Sequence, residues 1–254
     1  MPKIILVTLV HNRRDLVGPA LQSAVNQVLN KKLWNHLVID NASTDGADKI
    51  CEIFNKKYDH IHFARMDKNL GQMPAYNWAL EWIDDNMSDA EIMVHLDSDD
   101  MLLPEALKEV HDFFEAHPDV GQTYSGFNII NKAGKIKHAN HAKAKQVPNQ
   151  LTDEGQLALR RMFIKANPCG HLRAMRINCL KDIGGFDETR RFSTDYNMAG
   201  KMMEKYKVAK IPKVLYNWRQ HDTQVERQHS PEQTKNWKDL QEHYKQRWTK
   251  MGII

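Results

Sequence analysis

The sequence predicts an α/β domain with a mostly parallel central sheet flanked by helices, folded as a single compact unit. Short apolar segments alternate with amphipathic helical segments from residue 3 to about residue 130, which is the pattern of repeated strand–helix–strand units. Polar residues directly follow three of the apolar segments, where ligands bind in open α/β sheets. The chain has 254 residues and is 41% hydrophobic, enough for one sizeable core.

The first part of the chain supplies four predicted strands, each a short apolar run. The first helix places six apolar residues on one face, namely Leu16, Ala20, Leu21, Ala24, Val25 and Val28. The predicted elements are a strand at 3–10, a helix at 15–30, a strand at 36–40, a helix to about 58, a strand at 60–66, a helix to about 86 and a strand at 91–96.

The strand–helix rhythm ends after residue 130. Pro104 is predicted to begin a helix as a first-turn proline. The helix is predicted to end before His117, because the residue before a proline disfavours helical geometry. A strand follows at 121–130, and NKAG after it is a turn signal. The remaining predictions are an irregular loop at 132–150, a helix at 152–165 and a polar, aromatic-containing helix at 231–250.

Composition and charge narrow the functional class. The net charge of +4 is too weak alone to imply nucleic acid but suits an anionic substrate. Three cysteines form no C-x-x-C pair, which favours a reducing cytoplasm. The seven-residue apolar run at 4–10 is followed at once by polar and basic residues and has no small-residue cleavage site, which favours a buried strand over a signal peptide. No stretch approaches the roughly 20 apolar residues of a membrane span. We expect a cytoplasmic protein, with peripheral attachment to the inner membrane face as an alternative.

An apolar run ends in three carboxylates in the segment HLDSDD at residues 95–100. Alternate residues of an extended segment face the same way, so Asp97 and Asp99 can approach one ligand. Adjacent carboxylates that stay ionised need a counter-charge, which a divalent metal supplies. Oxygen ligands suit Mg²⁺ or Mn²⁺ and, through the metal, a diphosphate. The alternative is a solvated acidic turn before the next helix.

Polar clusters also follow the first two predicted strands. They read LVTLVHNRRDL at residues 6–16 and VIDNASTDG at residues 38–46. The carboxyl ends of parallel strands meet at one edge of a sheet, so these clusters and HLDSDD are expected to surround one crevice.

Together with four later segments, these clusters resemble the inverting glycosyltransferases of family 2. The later segments are DKNLGQMPAYNWAL (67–80), IGGFDE (183–188), STDYNMAGKM (193–202) and LYNWRQH (215–221). No segment is decisive alone, and the resemblance rests on their common order over roughly residues 3–225. It implies the Rossmann-like GT-A fold and transfer of a sugar, with inversion, from a nucleotide-diphosphate sugar to an acceptor hydroxyl.

The resemblance implies a donor site after the first strands. Its nucleotide-binding residues would be Thr8, Val10, His11, Asn12, Asp40, Asn41, Gln72, Asp97 and Ser98. His11 stands where the family often has a tyrosine that stacks on the base. Asn41 replaces a carboxylate that usually contacts uracil, and an amide both donates and accepts hydrogen bonds. The replacement argues against a UDP-sugar and leaves a dTDP-sugar or another nucleotide-sugar open.

The resemblance also implies a divalent metal, Mn²⁺ or Mg²⁺, on the donor diphosphate. Its ligands would be Asp99 and His221, with Asp97 or Asp100 as a further ligand. Trp218 and Arg219 would lie near the diphosphate or the acceptor. The alternatives are a loop histidine at position 221 and a buried aromatic beside an exposed charge at 218–219.

Asp195, in the segment STDYN, is implied to be the general base that takes the proton of the acceptor hydroxyl. The family usually has Glu-Asp here, and Thr194 replaces the glutamate. Proton transfer of this kind contributes roughly 10²–10⁴-fold to the rate. The alternative is that Asp195 caps a helix, since aspartate is favoured at that position.

The resemblance divides the chain into a GT-A domain at residues 1–225 and a C-terminal helical appendage at 226–254. Within the domain, residues 1–130 would bind the nucleotide-sugar, and residues 131–225 would hold the acceptor and the base. The segment 132–145 bears on the acceptor because it has no acid and five lysines, Lys132, Lys135, Lys137, Lys143 and Lys145. It favours a phosphate-bearing glycan, a lipid-linked phosphate or nucleic acid, and the alternative is a solvated loop.

Three functions remain open from the sequence. The first is a glycosyltransferase that acts on a surface glycan or a lipid-linked saccharide. The second acts on a hydroxymethylated DNA base, which would have to be flipped out of the duplex. The third is a non-catalytic nucleotide-sugar binder. A dehydrogenase is disfavoured because no G-x-G-x-x-G follows the first strand, and a nucleotidyltransferase because no glycine-rich basic loop stands there.

Overall fold

A computed structural model describes residues 3–141, 149–222, 224 and 230–254 and confirms the α/β fold. A curled sheet is flanked by helices throughout. In chain order the elements are β1 Lys3–Val10, α1 Arg14–Val25, β2 Trp34–Asp40, α2 Ala47–Lys57, β3 Ile61–Arg65, α3 Gln72–Asn86, β4 Ala90–His95, β5 Met101–Leu102, α4 Ala106–Ala116, β6 Val120–Ile130, β7 Ile136–His141, α5 Asp153–Phe163, β8 Ala174–Arg176, α6 Ile177–Asp182, α7 Thr194–Lys205, β9 Lys207–Arg219 and α8 Ser230–Met251.

The sheet joins two groups of parallel strands through an antiparallel one. Across the described residues its order is β3-β2-β1-β4-β8-β6-β9-β5, with β7 paired to β6. Strands β3, β2, β1 and β4 are parallel neighbours, as are β6 and β9. The short strand β8 is antiparallel to both β4 and β6. A three-residue strand from late in the chain therefore lies at the centre of the sheet.

Strand β1 is a continuous apolar run because helices cover both of its faces. Ile5 and Val7 pack in one core cluster with Tyr76 and Ala79 of α3. On the opposite face, Ile4 and Leu6 belong to a second cluster with residues of α4. Burial on both sides fixes β1 as a central strand, so the polar segment after it is held at the carboxyl edge.

The predicted end of the first helix was wrong. Helix α1 ends at Val25, and Val28, expected on its buried face, is 52% exposed. The backbone N–H of Val28 donates instead to Pro104 O at 3.1 Å. The side chain of Gln27 donates to Leu103 O at 2.8 Å and accepts from Leu107 N at 2.9 Å. These bonds to a distant segment replace the next turn of the helix.

Part of the predicted irregular loop at 132–150 is strand β7, which forms a hairpin with β6. Asn131 Oδ1 accepts a hydrogen bond from Lys135 N at 2.9 Å, and Gly134 has φ +84°, which favours glycine. The NKAG segment is therefore a tight turn between paired strands. Lys143 and Lys145 of the basic segment lie outside the described residues.

Helix α8 packs into the same core as the sheet. Its residues Tyr244 and Trp248 are 2% and 0% exposed, and Tyr244 Oη donates to Asn197 O at 2.8 Å. A Cβ atom at Gly200 would lie 2.2 Å from the Tyr244 ring, so glycine permits this approach. The division of the chain at residue 225 stays a prediction. None of the described helices combines the length and apolarity needed to cross a bilayer.

Candidate active site

A cleft of about 730 Å³ opens beside the carboxyl ends of β1, β2 and β4, within the range of about 300–1,000 Å³ for ligand pockets. The polar segments after these strands meet there, as a parallel arrangement requires. The predicted site residues that line it are Val10, His11, Asn41, Gln72, Asp97, Ser98, Asp99, Asp100, Asp195 and Trp218. The predicted site residues outside the lining are Thr8, Asn12, Asp40, Arg219 and His221.

Two of the predicted donor residues lie beneath the cleft. Thr8 is fully buried, and its Oγ1 lies 2.9 Å from His36 Nε2. Burial lowers the pKa of His36 to about 3, so the ring is neutral at neutral pH. Asp40 is fully buried, and its Oδ2 accepts from Ser43 N at 3.1 Å and lies 3.6 Å from Arg65 Nε. Thr8 and Asp40 therefore support the sheet and the loop above it and do not reach the cleft.

The loops after β1 and β2 hold each other in place. His11 Nδ1 lies 2.9 Å from Asn41 O. Asn12 has φ +52°, its backbone N–H donates to Ser43 Oγ at 3.0 Å, and its Oδ1 accepts from Thr44 N at 2.9 Å. Asn12 thus orders the two loops, and His11 and Asn41 line the cleft.

The amide of Asn41 is used within the protein. Its Nδ2 donates to Asn69 Oδ1 at 3.0 Å and Gly71 O at 3.1 Å, and its Oδ1 accepts from Leu70 N at 2.9 Å. These bonds occupy both donors and one acceptor position of the amide. Gly71 has φ +83°, a conformation that favours glycine. The geometry gives Asn41 the task of holding residues 69–71, and its expected contact with the base stays a prediction.

Gln72 connects the donor side of the cleft with the segment that carries Asp195. It begins helix α3 directly after Gly71, and its Oε1 accepts from Thr194 Oγ1 at 3.4 Å. Thr194 is the residue that replaces the family's glutamate. The substitution therefore places a hydroxyl donor opposite Gln72.

Asp99 lies between two basic groups. Its Oδ2 accepts from Arg13 Nε at 3.2 Å and lies 3.1 Å from His221 Nε2. Burial opposes ionisation, but the hydrogen bond with His221 and the charge of Arg13 outweigh it and lower the pKa of Asp99. The structure thus brings together Asp99 and His221, one oxygen and one nitrogen donor, although they are far apart in the sequence.

Asp100 and Arg219 are turned into the protein, and each is 2% exposed. Asp100 Oδ1 accepts from Arg219 N at 2.7 Å. Arg219 Nε donates to Asp99 O at 2.6 Å, and its Nη1 donates to Lys132 O at 2.7 Å. Burial, followed by the charges of Asp99 and Asp97, raises the pKa of Asp100 well above its usual value. Arg219 therefore ties the acidic loop to the β6–β7 turn.

Arg173 connects the acidic loop with Asp195. Its Nη2 donates to the carboxylate of Asp97 at 3.3 and 3.1 Å, and its Nη1 lies 3.8 Å from Asp195 Oδ2. Burial disfavours the charged guanidinium, but the two carboxylates outweigh this and raise the pKa of Arg173. Burial also raises the pKa of Asp97, despite Arg173. One buried cation therefore stabilises both carboxylates.

Asp195 does not cap a helix. Helix α7 begins at Thr194, and the residue in the capping position is Ser193, with φ +53°. The Asp195 carboxylate is 35% exposed, lines the cleft and accepts from Asn167 Nδ2 at 3.2 Å. The side chain is thus available to a ligand in the cleft.

A second group of potential metal ligands contains Asp97, Asp100 and His171, whose ligand atoms lie within 4.8 Å of one another. His171 Nδ1 is buried without a hydrogen-bond partner among the described residues and lies 4.0 Å from Asp97 Oδ2. Burial, then Arg173, lowers the pKa of His171 to about 3, so its nitrogen is neutral. Carboxylate oxygens and a neutral imidazole fit a divalent ion such as Mn²⁺.

Sequence reasoning missed Arg13, His171 and Arg173. Arg13 stood inside a polar cluster that had been recognised, so its position was a usable signal. His171 and Arg173 precede β8, which has only three residues and shows no strand period. Their importance follows from the insertion of β8 between β4 and β6, which no local pattern indicates.

Comparisons with known proteins give a family and a fold. Residues 5–184 match the family described as "Glycosyl transferase family 2". The poly(ribitol-phosphate) β-N-acetylglucosaminyltransferase TarP of Staphylococcus aureus is 26% identical over 160 residues, which are 62% of this chain and 43% of TarP. The chain spans half or less of the length of the first curated relatives that it matches.

Three solved structures, of two proteins, share the fold. The crystal structure of S. aureus TarS 1–349 has a TM-score of 0.71 at 20% identity, over 95% of this chain and 65% of that one. The same protein in complex with UDP-GlcNAc gives 0.66 at 19% identity, over 87% and 60%. The mannosyltransferase PcManGT from Pyrobaculum calidifontis, in complex with GDP-Man and Mn²⁺, gives 0.62 at 20% identity, over 85% and 56%. The fold agrees with the match to residues 5–184, and the chain belongs to glycosyl transferase family 2.

Proposed function

We propose that this chain is an inverting glycosyltransferase that moves a sugar from a nucleotide-diphosphate donor to a hydroxyl of a cell-surface polysaccharide. The observation that carries the proposal is that Asp97 and Asp195 line one cleft and are bridged by the buried Arg173. Membership of family 2 supports the reaction type. TarP, whose name gives an anionic surface polymer as its acceptor, favours a polysaccharide over a hydroxymethylated DNA base.

The donor nucleotide occupies the part of the cleft lined by Val10, His11, Gln72 and Ser98. We propose a UDP-sugar. TarS, which shares the fold, is solved with UDP-GlcNAc, and the contacts of Asn41 with residues 69–71 remove the reason to disfavour uracil.

The proposed metal is Mn²⁺ or Mg²⁺, held by Asp99 and His221. A metal supplies neutralisation of the charge that develops on the leaving diphosphate. Asp99 is a better ligand than Asp100 because its pKa is lowered by neighbouring basic groups, whereas that of Asp100 is raised by burial. The PcManGT complex with Mn²⁺ supports a metal on this fold.

Asp195 is the proposed general base. It accepts the proton of the acceptor hydroxyl while the hydroxyl oxygen forms a bond to the anomeric carbon. The bond from that carbon to the diphosphate oxygen breaks, and the nucleoside diphosphate leaves with the electron pair from the opposite face. Arg173 positions Asp195 relative to Asp97, and Asn167 orients its carboxylate. A single displacement of this geometry inverts the anomeric configuration.

The test is a thermal-shift and calorimetric screen of UDP-, dTDP-, GDP- and CMP-sugars, with Mn²⁺ and with EDTA. We expect a metal-dependent shift with a UDP-sugar, since a ligand at 100 times its dissociation constant stabilises the folded state by about 2.7 kcal/mol. If donor binding and sugar transfer are the same in EDTA as with Mn²⁺, the proposed metal requirement is wrong. If no nucleotide-sugar binds, the proposed donor site is wrong.

Variants of the two ligand groups sharpen this test. We expect Asp99→Asn to weaken Mn²⁺ binding in the UDP complex by at least the roughly 10–100-fold that follows loss of an outer-shell partner. Asp89→Asn, on an acidic residue whose side chain is 63% exposed, is the matched control and should bind as the unaltered protein does. If His171→Ala weakens Mn²⁺ binding more than Asp99→Asn does, the metal is held by the group of Asp97, Asp100 and His171 instead.

A further inference from the structure

A second cavity, of about 300 Å³, lies between α7 and α8. We call it the α8 cavity; its lining residues are Asn167, Ser193, Asp195, Tyr196, Gln233, Thr234 and Trp237. Asn167, Ser193 and Asp195 also line the large cleft, so the two cavities meet at the proposed base. The volume is at the lower end of the range for ligand pockets, about 300–1,000 Å³.

Two of the residues that line this cavity, both on α8, carry a polar side-chain atom without a hydrogen-bond partner among the described residues. Trp237 Nε1 and Gln233 Oε1 are buried and have no hydrogen-bond partner in the part of the chain that the structure describes. Buried tryptophan N–H groups ordinarily find a partner, and an unsatisfied buried polar atom indicates a missing water or ligand. One atom is a donor and the other an acceptor, which together match hydroxyl groups, since a hydroxyl both donates and accepts.

The lining is also fixed in position. Trp237 packs edge-on against Tyr196, with ring centroids 6.4 Å apart and planes at 86°. Ser193 Oγ donates to Gln233 O at 3.4 Å, which connects α8 with the turn before Asp195. A preorganised aromatic surface beside paired polar groups suits a sugar ring, whose C–H face is apolar and whose edge carries hydroxyls.

We propose that the α8 cavity is the acceptor subsite and that it binds a neutral pyranose ring at the end of the acceptor glycan. Trp237 Nε1 donates to one acceptor hydroxyl and Gln233 Oε1 accepts from another, which leaves a third hydroxyl beside Asp195. The donor then occupies the large cleft and the acceptor the α8 cavity, with the base between them. This inference rests on the proposed function for its place in the reaction, although the sugar site itself can be tested without turnover.

The experiment titrates the full chain with the methyl pyranosides of glucose, galactose, mannose and N-acetylglucosamine, with and without UDP and Mn²⁺, using saturation-transfer NMR. We expect at least one pyranoside to bind. Trp237→Ala and Gln233→Ala should each weaken it about tenfold, and Trp237→Phe, which keeps the aromatic face and loses the N–H group, about threefold. Gln246→Ala, on the exposed face of the same helix, should leave the affinity unchanged.

Gln233→Ala keeps the inference testable if Trp237→Ala disturbs the packing of α8. Failure of every pyranoside to bind, or equal affinity in the unaltered protein and both alanine variants, would overturn the α8 site. Trp237-dependent binding of a hydroxymethylcytosine oligonucleotide, with no pyranoside bound, would overturn it in favour of DNA. A separate titration with UDP distinguishes the two proposals, because loss of UDP binding counts against the donor site and not against this cavity.

Discussion

Two regions of the molecule build the site in different ways. In the parallel region, β1–β4 with α1–α3, four parallel strands lie side by side in the order β3-β2-β1-β4, and the loops that follow them meet at one edge. In the returning region, residues 120–254, the site residues lie just before a three-residue strand, at the start of a helix and just after the end of a strand. The parallel region forms most of the proposed donor side, whereas the returning region supplies Asp195, Arg173 and His221. Local sequence order therefore determines the donor side, and long-range packing positions the chemistry.

The largest expected effect separates the two regions by function. Asp195→Asn keeps the shape of the side chain but removes the proton acceptor, so we expect the rate of sugar transfer to fall by roughly 10²–10⁴-fold. Binding of UDP, measured by calorimetry, should remain because the donor lies mainly on the parallel region. Asp153→Asn, also in the first turn of a helix, is the control. An equal loss of UDP binding and transfer would show that the regions do not act separately.

The second prediction concerns Arg173, which joins the regions. Arg173→Leu leaves Asp97 and Asp195 without their shared cation. The side chains of Arg173, Asp97 and Asp195 are 13%, 25% and 35% exposed, so we expect the lower end of the about 3–5 kcal/mol that loss of one partner of a buried ion pair costs. The free energy of unfolding, measured in urea, should fall by this amount. Lys181→Leu is the control because both members of its pair with Asp84 are exposed, with side chains at 45% and 50%, and should cost less than about 1 kcal/mol. Equal losses in both variants would contradict the bridging role.

A smaller effect is expected within the parallel region. Asn41→Asp replaces two amide donors with acceptors that face Asn69 Oδ1 and Gly71 O, so we expect a loss of about 1–3 kcal/mol in the free energy of unfolding. Donor affinity should fall for all nucleotides alike. Asn26→Asp is the control, since its Oδ1 already acts as an acceptor. A changed ranking of UDP, dTDP and GDP would instead restore a base-reading role for Asn41.

The last effect is a pH dependence located in the parallel region, and it is spread over several pH units. Burial lowers the pKa of His36 to about 3 in the folded protein. Below about pH 6.5, therefore, His36 binds a proton in the unfolded chain but not in the folded protein. The free energy of unfolding therefore falls as pH decreases from 6.5 towards 3. His36→Leu should make this slope shallower by up to about 1.4 kcal/mol per pH unit. Urea titrations at several pH values measure it, with the exposed His138→Leu as control; parallel slopes for His36→Leu and the unaltered protein would refute it.

The order of strands and helices in the parallel region can be predicted from the sequence alone. Apolar runs and helical periods predict β1, β2, β3 and β4 in order, and the polar segments after them indicate the edge of the sheet where the cleft lies. The family resemblance implies that Asp99 and His221 bind a metal and that Asp195 is the general base, and these roles stay proposals. These inferences succeed because periodicity and turn residues report local burial, which a window of a few residues contains.

Three other features depend on tertiary contacts between segments that are distant in the sequence. The early end of α1 depends on bonds from Gln27 and Val28 to the segment 103–107. The places of His171 and Arg173 depend on β8 entering the sheet between β4 and β6, and the α8 cavity depends on packing of α8 beside α7. Each of these joins segments distant in sequence. Such contacts are selected by the burial and hydrogen bonding of the whole chain, which leave no period in either segment alone.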